Sequence, residues 1–470
     1  MTRKSRADSP DQARYALVLA AGKGTRLKSE KPKVLHELCG KPLIRHMLDK
    51  LADLNVRKTF VILGHEAESV WQALPGHDAE IIIQEQQLGT GHAVMTAAPR
   101  LQEISGNLLV IYGDTPLLST ETLRRLFEAQ EREDADEVLL TAEYENPFGY
   151  GRIIRNSQGE PVATIEEKDA TPEQRKMQEV NTGSYCFKID SLLAGLPELT
   201  NENQSGEYYI TDMLEILRRQ GKRVVAVSAE SPQETHGINT RAELAEAESH
   251  LRRKIAERWM LEGVTMPDPS TVYIDDTVTI GPETTIYPGV VIEGTTQIGA
   301  GCKIFAFSHL SNAILEEGVT IDHCSVVRDS RVGKNSTVGP FAHLRQNSDV
   351  GEENRIGNFV EMKNSSTGKD TKAVHLSYLG DAELGESVNI GAGTITCNYD
   401  GVNKNKTIIK DGAFIGSDSQ LIAPVTVGKD SYVAAGSSIT EDIPDQALGI
   451  ARARQINKKD WAKQRKSKKA

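Results

Sequence analysis

Three shortages narrow the class of this chain before any motif is read. Cysteine is rare: five among 470 residues, an odd number with no Cys-x-x-Cys pair. That fits free thiols in a reducing cytoplasm better than a disulfide framework or a structural zinc site. Long apolar runs are lacking, so no segment has the length of a membrane span. The opening MTRKSRADSPDQARY holds no apolar signal core and reads as a polar, disordered extension. Positive charge is in deficit, with 55 Lys and Arg against 66 Asp and Glu and a formal net charge of −11. Such a balance opposes nucleic-acid binding by the body of the protein. Basic residues gather only in the last stretch, NKKDWAKQRKSKKA, which reads as a solvated tail. The expectation is a cytoplasmic, soluble chain, and 470 residues call for two or three cores.

The first 240 residues alternate apolar runs of strand length (YALVLAAG, KTFVILG, AEIIIQ, NLLVIYGD, DEVLLTAEY) with segments of helical spacing such as KPLIRHMLDKLADL. Strand and helix in alternation predict a parallel, doubly wound sheet. Two standard phosphate motifs are missing from its first turn, LVLAAGKGTRLKSEKPK (residues 17–33). A dinucleotide fingerprint needs a small residue where Leu27 stands, and a Walker loop needs Gly-Lys-Ser/Thr after four spacers. What remains is a glycine turn with three cations, Lys23, Arg26 and Lys33, suited to a triphosphate. Asp114, at the end of NLLVIYGD, is placed either to hold a hard cation such as Mg²⁺ or to cap a helix near Pro116.

After residue 240 the pattern changes. RAELAEAESHLRRKIAERWMLEG carries Leu244, Leu251, Ile255 and Trp259 at helical spacing and stops at Gly263. It divides the chain into 1–241, a linker helix at 242–262, and 263–470. Beyond it, aliphatics recur every six residues: Ile280, Ile286, Ile292, Ile298 and Ile304, from about Ile274. Six is no helical period, and Pro282, Pro288 and Gly294 break a simple strand, so short strands must turn a corner every hexad, as in a parallel β-helix. The lattice shifts phase near Ile314, then runs Val326, Val332, Val338, Leu344, Val350, Ile356 and Met362. It breaks at KDTKAVHLSYLGD (369–381), resumes at Tyr378, Leu384 and Ile390, and breaks again at NYDGVNKNK. It ends on Ile409, Ile415, Leu421, Val427, Val433 and Ile439. His375 sits in the first break, with Arg345 and Lys363 on preceding coils and Asn389 on the next. Two cations fit a phosphate, and a histidine beside it can accept a proton.

LAAGKGTRL followed by PKVL resembles the start of sugar-1-phosphate nucleotidyltransferases. Further stretches match in order: Gln84 and QLGTGHA, Tyr112-Gly113-Asp114, GYGR, Glu166 in IEEKD, Asn181-Thr182-Gly183, GEYYITD and Asn239 in GINTR. With the hexapeptide repeats behind them, nearly the whole chain from about Tyr15 is similar to the bifunctional N-acetylglucosamine-1-phosphate uridyltransferases and glucosamine-1-phosphate acetyltransferases. The resemblance implies α/β plus all-β architecture: a Rossmann-like nucleotidyltransferase domain, the linker helix, and a left-handed, three-sided β-helix. It implies synthesis of UDP-N-acetylglucosamine, a precursor of peptidoglycan and lipopolysaccharide, with UTP and acetyl-CoA as substrates, Mg²⁺ as cofactor, and a homotrimer with acetyl sites between subunits.

Carried over residue by residue, Leu19, Ala20, Ala21, Gly22, Lys33, Tyr112 and Gly113 contact the nucleotide, and Gln84, Gly89 and Thr90 read uracil. Gly151, Glu166, Asn181 and Asn239 contact the sugar nucleotide, while Asp114 and Asn239 hold the metal. In the coil, His375 is the catalytic base. Arg345, Lys363, Tyr378 and Asn389 hold glucosamine phosphate, with Lys404 close by. Ala392, Asn398, Tyr399, Ser417, Ala435 and Arg452 line the acetyl-CoA path. Two other readings compete. One is a nucleotidyltransferase whose coil is only regulatory or structural, which has no need of His375, the Arg345 and Lys363 pair or NYDG. The other is a β-helical scaffold presenting a nucleotide sensor, which Lys33 and Asp114 together oppose.

Overall fold

In the computed structural model the described residues are 13–467, except Lys23, His65, Pro75 and His77. The start of the polar opening, the last three residues of the basic end, and the cation expected at Lys23 lie outside them. The chain forms two compact units, 1–251 and 252–470.

The first unit is built on a sheet of order Val224–Ser228, Glu137–Glu143, Glu179–Lys188, Asn107–Tyr112, Arg14–Leu19, Lys58–Leu63, Ala79–Ile83. The last four run parallel, as the strand–helix alternation predicts. Glu179–Lys188 is inserted against both of its neighbours, and its start also pairs with a hairpin of Gly151–Arg155 and Pro161–Ile165. Helices Leu43–Ala52 and Thr120–Glu133 cover one face. Thr90–Leu101, Ile189–Gly195 and Met213–Arg219 cover the other. Burial on both faces is why these strands read as continuous apolar runs. Leu19 and Tyr112 end adjacent strands in register, so the loops that follow them share the C-terminal rim where α/β sheets bind ligands.

The helix Arg241–Leu261 is followed by Gly263 at φ +93°, a left-handed position that favours glycine. In its first half Leu244, Ala247 and Leu251 join a cluster with Leu38, Leu43, Leu117 and Ile238. In the second, Ile255, Ala256 and Trp259 are buried.

The second unit is the left-handed parallel β-helix, its coils stacked in three ladders. Ile274 pairs with Ile292, eighteen residues on, then with Leu310, Val327, Leu344, Met362 and Leu379 in turn. Ile280, Ile298, Leu315, Val332, Val350, Thr367 and Leu384 form a second column. Ile286, Ile304, Ile321, Val338, Ile356, Ala373, Ile390, Ile415 and Val433 form the third.

These columns correct three readings of the lattice. Ile314 is exposed and Leu315 buried, because one side there spans five residues rather than six; Val327, not Val326, is then the inward residue. Leu379, not Tyr378, takes the next inward place of its column. The supposed first break is no break: Thr367, Ala373 and Leu379 keep the lattice through residues 369–381. They escape a search for large aliphatics because two are small or polar. The second break is real, a loop between the strands Ile395–Cys397 and Thr407–Ile409.

Two candidate active sites

Ten of the expected nucleotide-binding residues line one cavity of about 270 Å³: Leu19, Ala20, Ala21, Gly22, Lys33, Gln84, Gly89, Thr90, Tyr112 and Asp114. The strand ends at Leu19 and Tyr112 deliver the first and last members, and Thr90 opens the helix Thr90–Leu101. Gly89, at φ +106°, comes so close to the Tyr208 backbone that a Cβ there would lie 2.5 Å from its carbonyl oxygen. Gln84 donates through Nε2 to the Gly89 carbonyl at 3.3 Å and meets His92 Nδ1 at 2.9 Å, which fixes its amide. Gly113 lies behind the wall, where a Cβ would meet Ala20 Cβ at 3.3 Å.

Lys33 is nearly buried. Its ammonium pairs with the Asp114 carboxylate and donates to Asn239 Oδ1 at 2.7 Å. Arg26 donates to the same Asn239 oxygen at 2.7 Å. Two hard oxygens from distant segments thus converge on one positive charge, a donor set that fits a magnesium-like ion completing its shell with phosphate and water. Asp114 is not a helix cap: the cap of Thr120–Glu133 is Ser119, whose side chain accepts from the Thr122 amide.

Gly151, Glu166 and Asn181 come together where the hairpin meets the strand Glu179–Lys188, rather than in that cavity. Gly151 pairs with Asn181 in the ladder, and a Cβ on Gly151 would stand 3.3 Å from Glu166 Oε1. Burial pushes the Glu166 carboxyl up; a hydrogen bond from Thr211 opposes this, Asp169 adds to it, and the charge of Arg152 opposes it again. Tyr112 links the two groups. Burial and then Glu166 push its phenol up, and a hydrogen bond with Thr90 opposes them. A side chain at Gly183, at φ +80°, would run into the Tyr112 ring.

In the coil, Arg345 and Lys363 are ladder neighbours. Each has a carboxylate partner: Arg345 Nη2 lies 2.7 Å from Glu361 Oε1, and Lys363 Nζ lies 3.7 Å from Asp381 Oδ2. Burial raises the Asp381 carboxyl, but hydrogen bonds from Asn364 and Asn398 and the charges of Lys363 and Lys404 leave it below the usual carboxylate range. Lys404, exposed, is pushed down by Lys363. Tyr378 reaches the same place, its hydroxyl against Gly380, the ladder partner of Lys363. Asn398, through its bond to Asp381, belongs to this group. Asn389 stands apart, between Lys372 and Phe414 in its ladder.

His375 is exposed on a corner, and its Nδ1 lies 3.1 Å from Asn358 Oδ1. Donation from Nδ1 to that amide oxygen leaves Nε2 as the proton acceptor. The ladders run Ala373, Ile390, Ile415, Val433, so two residues past each the edge of the prism presents His375, Ala392, Ser417 and Ala435 in a row. Arg452 closes that row, donating from Nη1 to the Ala435 carbonyl at 2.8 Å. Tyr399 lies on the projecting loop, with its hydroxyl on the Gly401 carbonyl at 2.6 Å. Sequence reasoning gave no role to Gln87 and Glu207, which line the cavity, nor to Asp381 and Asn358. Gln87, Glu207 and Asp381 lie inside QLGTGHA, GEYYITD and KDTKAVHLSYLGD; nothing marks Asn358 before the coils are stacked.

A cavity on the C-terminal rim of an α/β sheet and a β-helix carrying a histidine corner define the class: a nucleotidyltransferase joined to a hexapeptide-repeat acyltransferase-like coil. Residues 16–181 match the MobA-like NTP transferase domain, and residues 270–378 match the GMPPB C-terminal domain. The chain is 51% identical over 448 residues to the bifunctional protein GlmU of Geobacillus sp. (strain WCH70), covering 95% of this chain and 97% of the relative. It is 49% identical to that of Brevibacillus brevis, over 97% and 99% of the two chains. Identity to that of Clostridioides difficile is 47%, over 96% and 98%. The chain belongs to the family of bifunctional GlmU proteins.

Proposed function

We propose that the chain makes UDP-N-acetylglucosamine in two steps, acetyl transfer in the coil and uridylyl transfer in the first unit. The observation that carries this reading is the convergence of ten expected nucleotide contacts on one cavity, with Lys33, Asp114 and Asn239 bonded together along it. We assign uridylyl transfer to residues 1–241 and acetyl transfer to 263–470, with 242–262 as the linker.

In the first reaction the amine of glucosamine-1-phosphate attacks the thioester carbonyl of acetyl-CoA; a C–N bond forms, the C–S bond breaks, and the thiolate leaves. His375 takes the amine proton on Nε2, with Asn358 holding the tautomer. Arg345, Lys363, Tyr378, Asn389 and Lys404 hold the sugar phosphate. The small residues Ala392, Ser417 and Ala435, with Asn398, Tyr399 and Arg452, accept the donor. In the second reaction a phosphate oxygen of N-acetylglucosamine-1-phosphate attacks the α-phosphorus of UTP and pyrophosphate leaves. Positioning and charge neutralisation suffice for such a transfer. Leu19 to Gly22 and Lys33 seat the triphosphate, Gln84, Gly89 and Thr90 the uracil, and Gly151, Glu166, Asn181 and Asn239 the sugar. Asp114 and Asn239 would hold Mg²⁺, which when bound neutralises phosphate charge.

No described helix is long and apolar enough to cross a membrane, and we place the enzyme in the cytoplasm. We further infer a homotrimer built along the coil. Phe307, Phe341, Phe359 and Leu376 are exposed along one edge, Phe341 and Phe359 stack at 5.5 Å, and His375 adjoins that apolar strip. A patch of this kind marks an interface, and packing there would set His375 between subunits.

The test is release of free CoA thiol from acetyl-CoA and glucosamine-1-phosphate, with N-acetylglucosamine-1-phosphate as control acceptor, followed by pyrophosphate release when UTP is added. Thiol release with the first sugar only, then pyrophosphate, is expected. No thiol release with either would leave a single-activity nucleotidyltransferase with a structural coil.

A further inference from the structure

Arg152 closes the stretch GYGR and has no part in either reaction above. Its side chain is 1% exposed, and a buried guanidinium must find acceptors. It finds three: Nη1 donates to the Tyr150 carbonyl, and Nη2 donates to Glu167 Oε2 at 2.7 Å and to the Arg175 carbonyl at 3.2 Å. Glu167 in turn accepts from the Gly149 amide at 3.2 Å and lies 3.7 Å from Arg175 Nε. One fork therefore ties the turn entering the strand Gly151–Arg155, the segment leaving Pro161–Ile165, and the 3-10 turn Gln174–Lys176. Arg152 Nε has no partner among the described residues. A buried ion pair seldom outperforms apolar packing in stability, so a role beyond stability is called for.

The neighbours supply it. Arg152 pairs with Ile165 across the hairpin and with Val180 on its other side. Gly151, Glu166 and Asn181 consequently form one row across three strands, and the Arg152–Glu167 pair is locked directly behind it. We propose that Arg152, acting through Glu167, is a positioning residue for uridylyl transfer, fixing the row that receives the sugar phosphate. This rests on the reading of Gly151, Glu166 and Asn181 as the sugar site. Electrostatics point the same way: the charge of Arg152 lowers the Glu166 carboxyl against the upward push of burial, Asp169 and Glu207. Tyr112, Tyr185, Tyr209 and Asp212 are the other titratable groups that feel Glu166.

The test uses the full chain as Arg152→Met, Arg152→Lys, Glu167→Gln, Arg152→Met/Glu167→Gln and Glu166→Gln. KM for N-acetylglucosamine-1-phosphate, KM for UTP and kcat are measured across pH, with the UTP KM reporting that the first unit is folded and acetyl transfer on the same preparations controlling for the second. Arg152→Met is expected to raise the sugar KM about tenfold, with the UTP KM within about twofold. It should also move the acid limb of kcat/KM for the sugar to higher pH. Arg152→Lys should restore the limb but only part of the KM, because a point charge lacks the fork. Glu167→Gln should raise the sugar KM as Arg152→Met does, and the double variant should be no worse than either. An Arg152→Met protein with normal acetyl transfer and either an unchanged sugar KM or equal rises in both KM values overturns the positioning role, provided Glu166→Gln impairs sugar binding. A Glu166→Gln protein with normal sugar KM overturns the sugar site itself, and this inference with it.

Discussion

Lys33 shares one ammonium between a carboxylate and an amide oxygen, Asp114 and Asn239, that lie far apart in sequence. Asp114→Ala removes the charged half of that donor pair, and uridylyl transfer is expected to fall about 10²- to 10³-fold. Acetyl transfer on the same preparation should be unchanged; equal loss of both would count against separate sites. His375→Ala is the reciprocal case, with acetyl transfer down about 10²- to 10⁴-fold and pyrophosphate release near normal. A variant that acetylates at the usual rate would remove His375 from the chemistry. At this scale the sequence marked Lys33 by its cluster of cations and Asp114 by its place at a strand end, and Asn239 through resemblance alone, but did not show that they touch. It also left Arg345 and Lys363 as free cations. Their partners, Glu361 and Asp381, come from ladder register, and that register slips by a residue wherever a coil side is short.

Among the elements, the apolar runs announced five strands of the first unit's nine-stranded sheet and missed its other four. Glu179–Lys188 is the instructive miss. It is buried along most of its length, yet Asn181, Thr182 and Ser184 interrupt its apolar pattern, and two of them are satisfied within the sheet: Asn181 Oδ1 accepts from Gly183 and Tyr185 of the same strand, and Thr182 donates to the Leu140 carbonyl of the neighbouring one. The strand Glu137–Glu143 hides a second oddity. Glu137 is fully buried, and neither carboxylate oxygen has a partner among the described residues. Burial pushes it from an ordinary 4.5 to about 8. The folded state therefore keeps a proton that the unfolded chain loses, and stability from this group falls as pH rises from about 4.5 through about 8. Glu137→Gln abolishes that loss, so its urea midpoint should exceed that of the parent at pH near 8 and approach it near pH 5. A gap that does not widen with pH would mean Glu137 has a partner when folded.

For the whole molecule, length called for two or three cores and the chain forms two units, and the hexad lattice foretold the coil. The proposed assembly came from resemblance alone, because an exposed edge becomes visible only once Phe307, Phe341, Phe359 and Leu376 are brought into line by stacking. Phe359→Glu places a charge on that edge. Sedimentation should show the proposed trimer giving way to smaller species, acetyl transfer falling about tenfold or more, and uridylyl transfer persisting. A trimer unaffected by the charge would move the interface elsewhere.

The row from His375 through Ala392 and Ser417 to Ala435 also has a metric meaning. Each step is one strand spacing, about 4.8 Å, so three steps measure about 14 Å. The coil thus works as a gauge graduated in whole turns. Distance from His375 to the far end is set by counting coils, and a graft that added one complete turn would keep the ladder spacing while setting the scale wrong by one division.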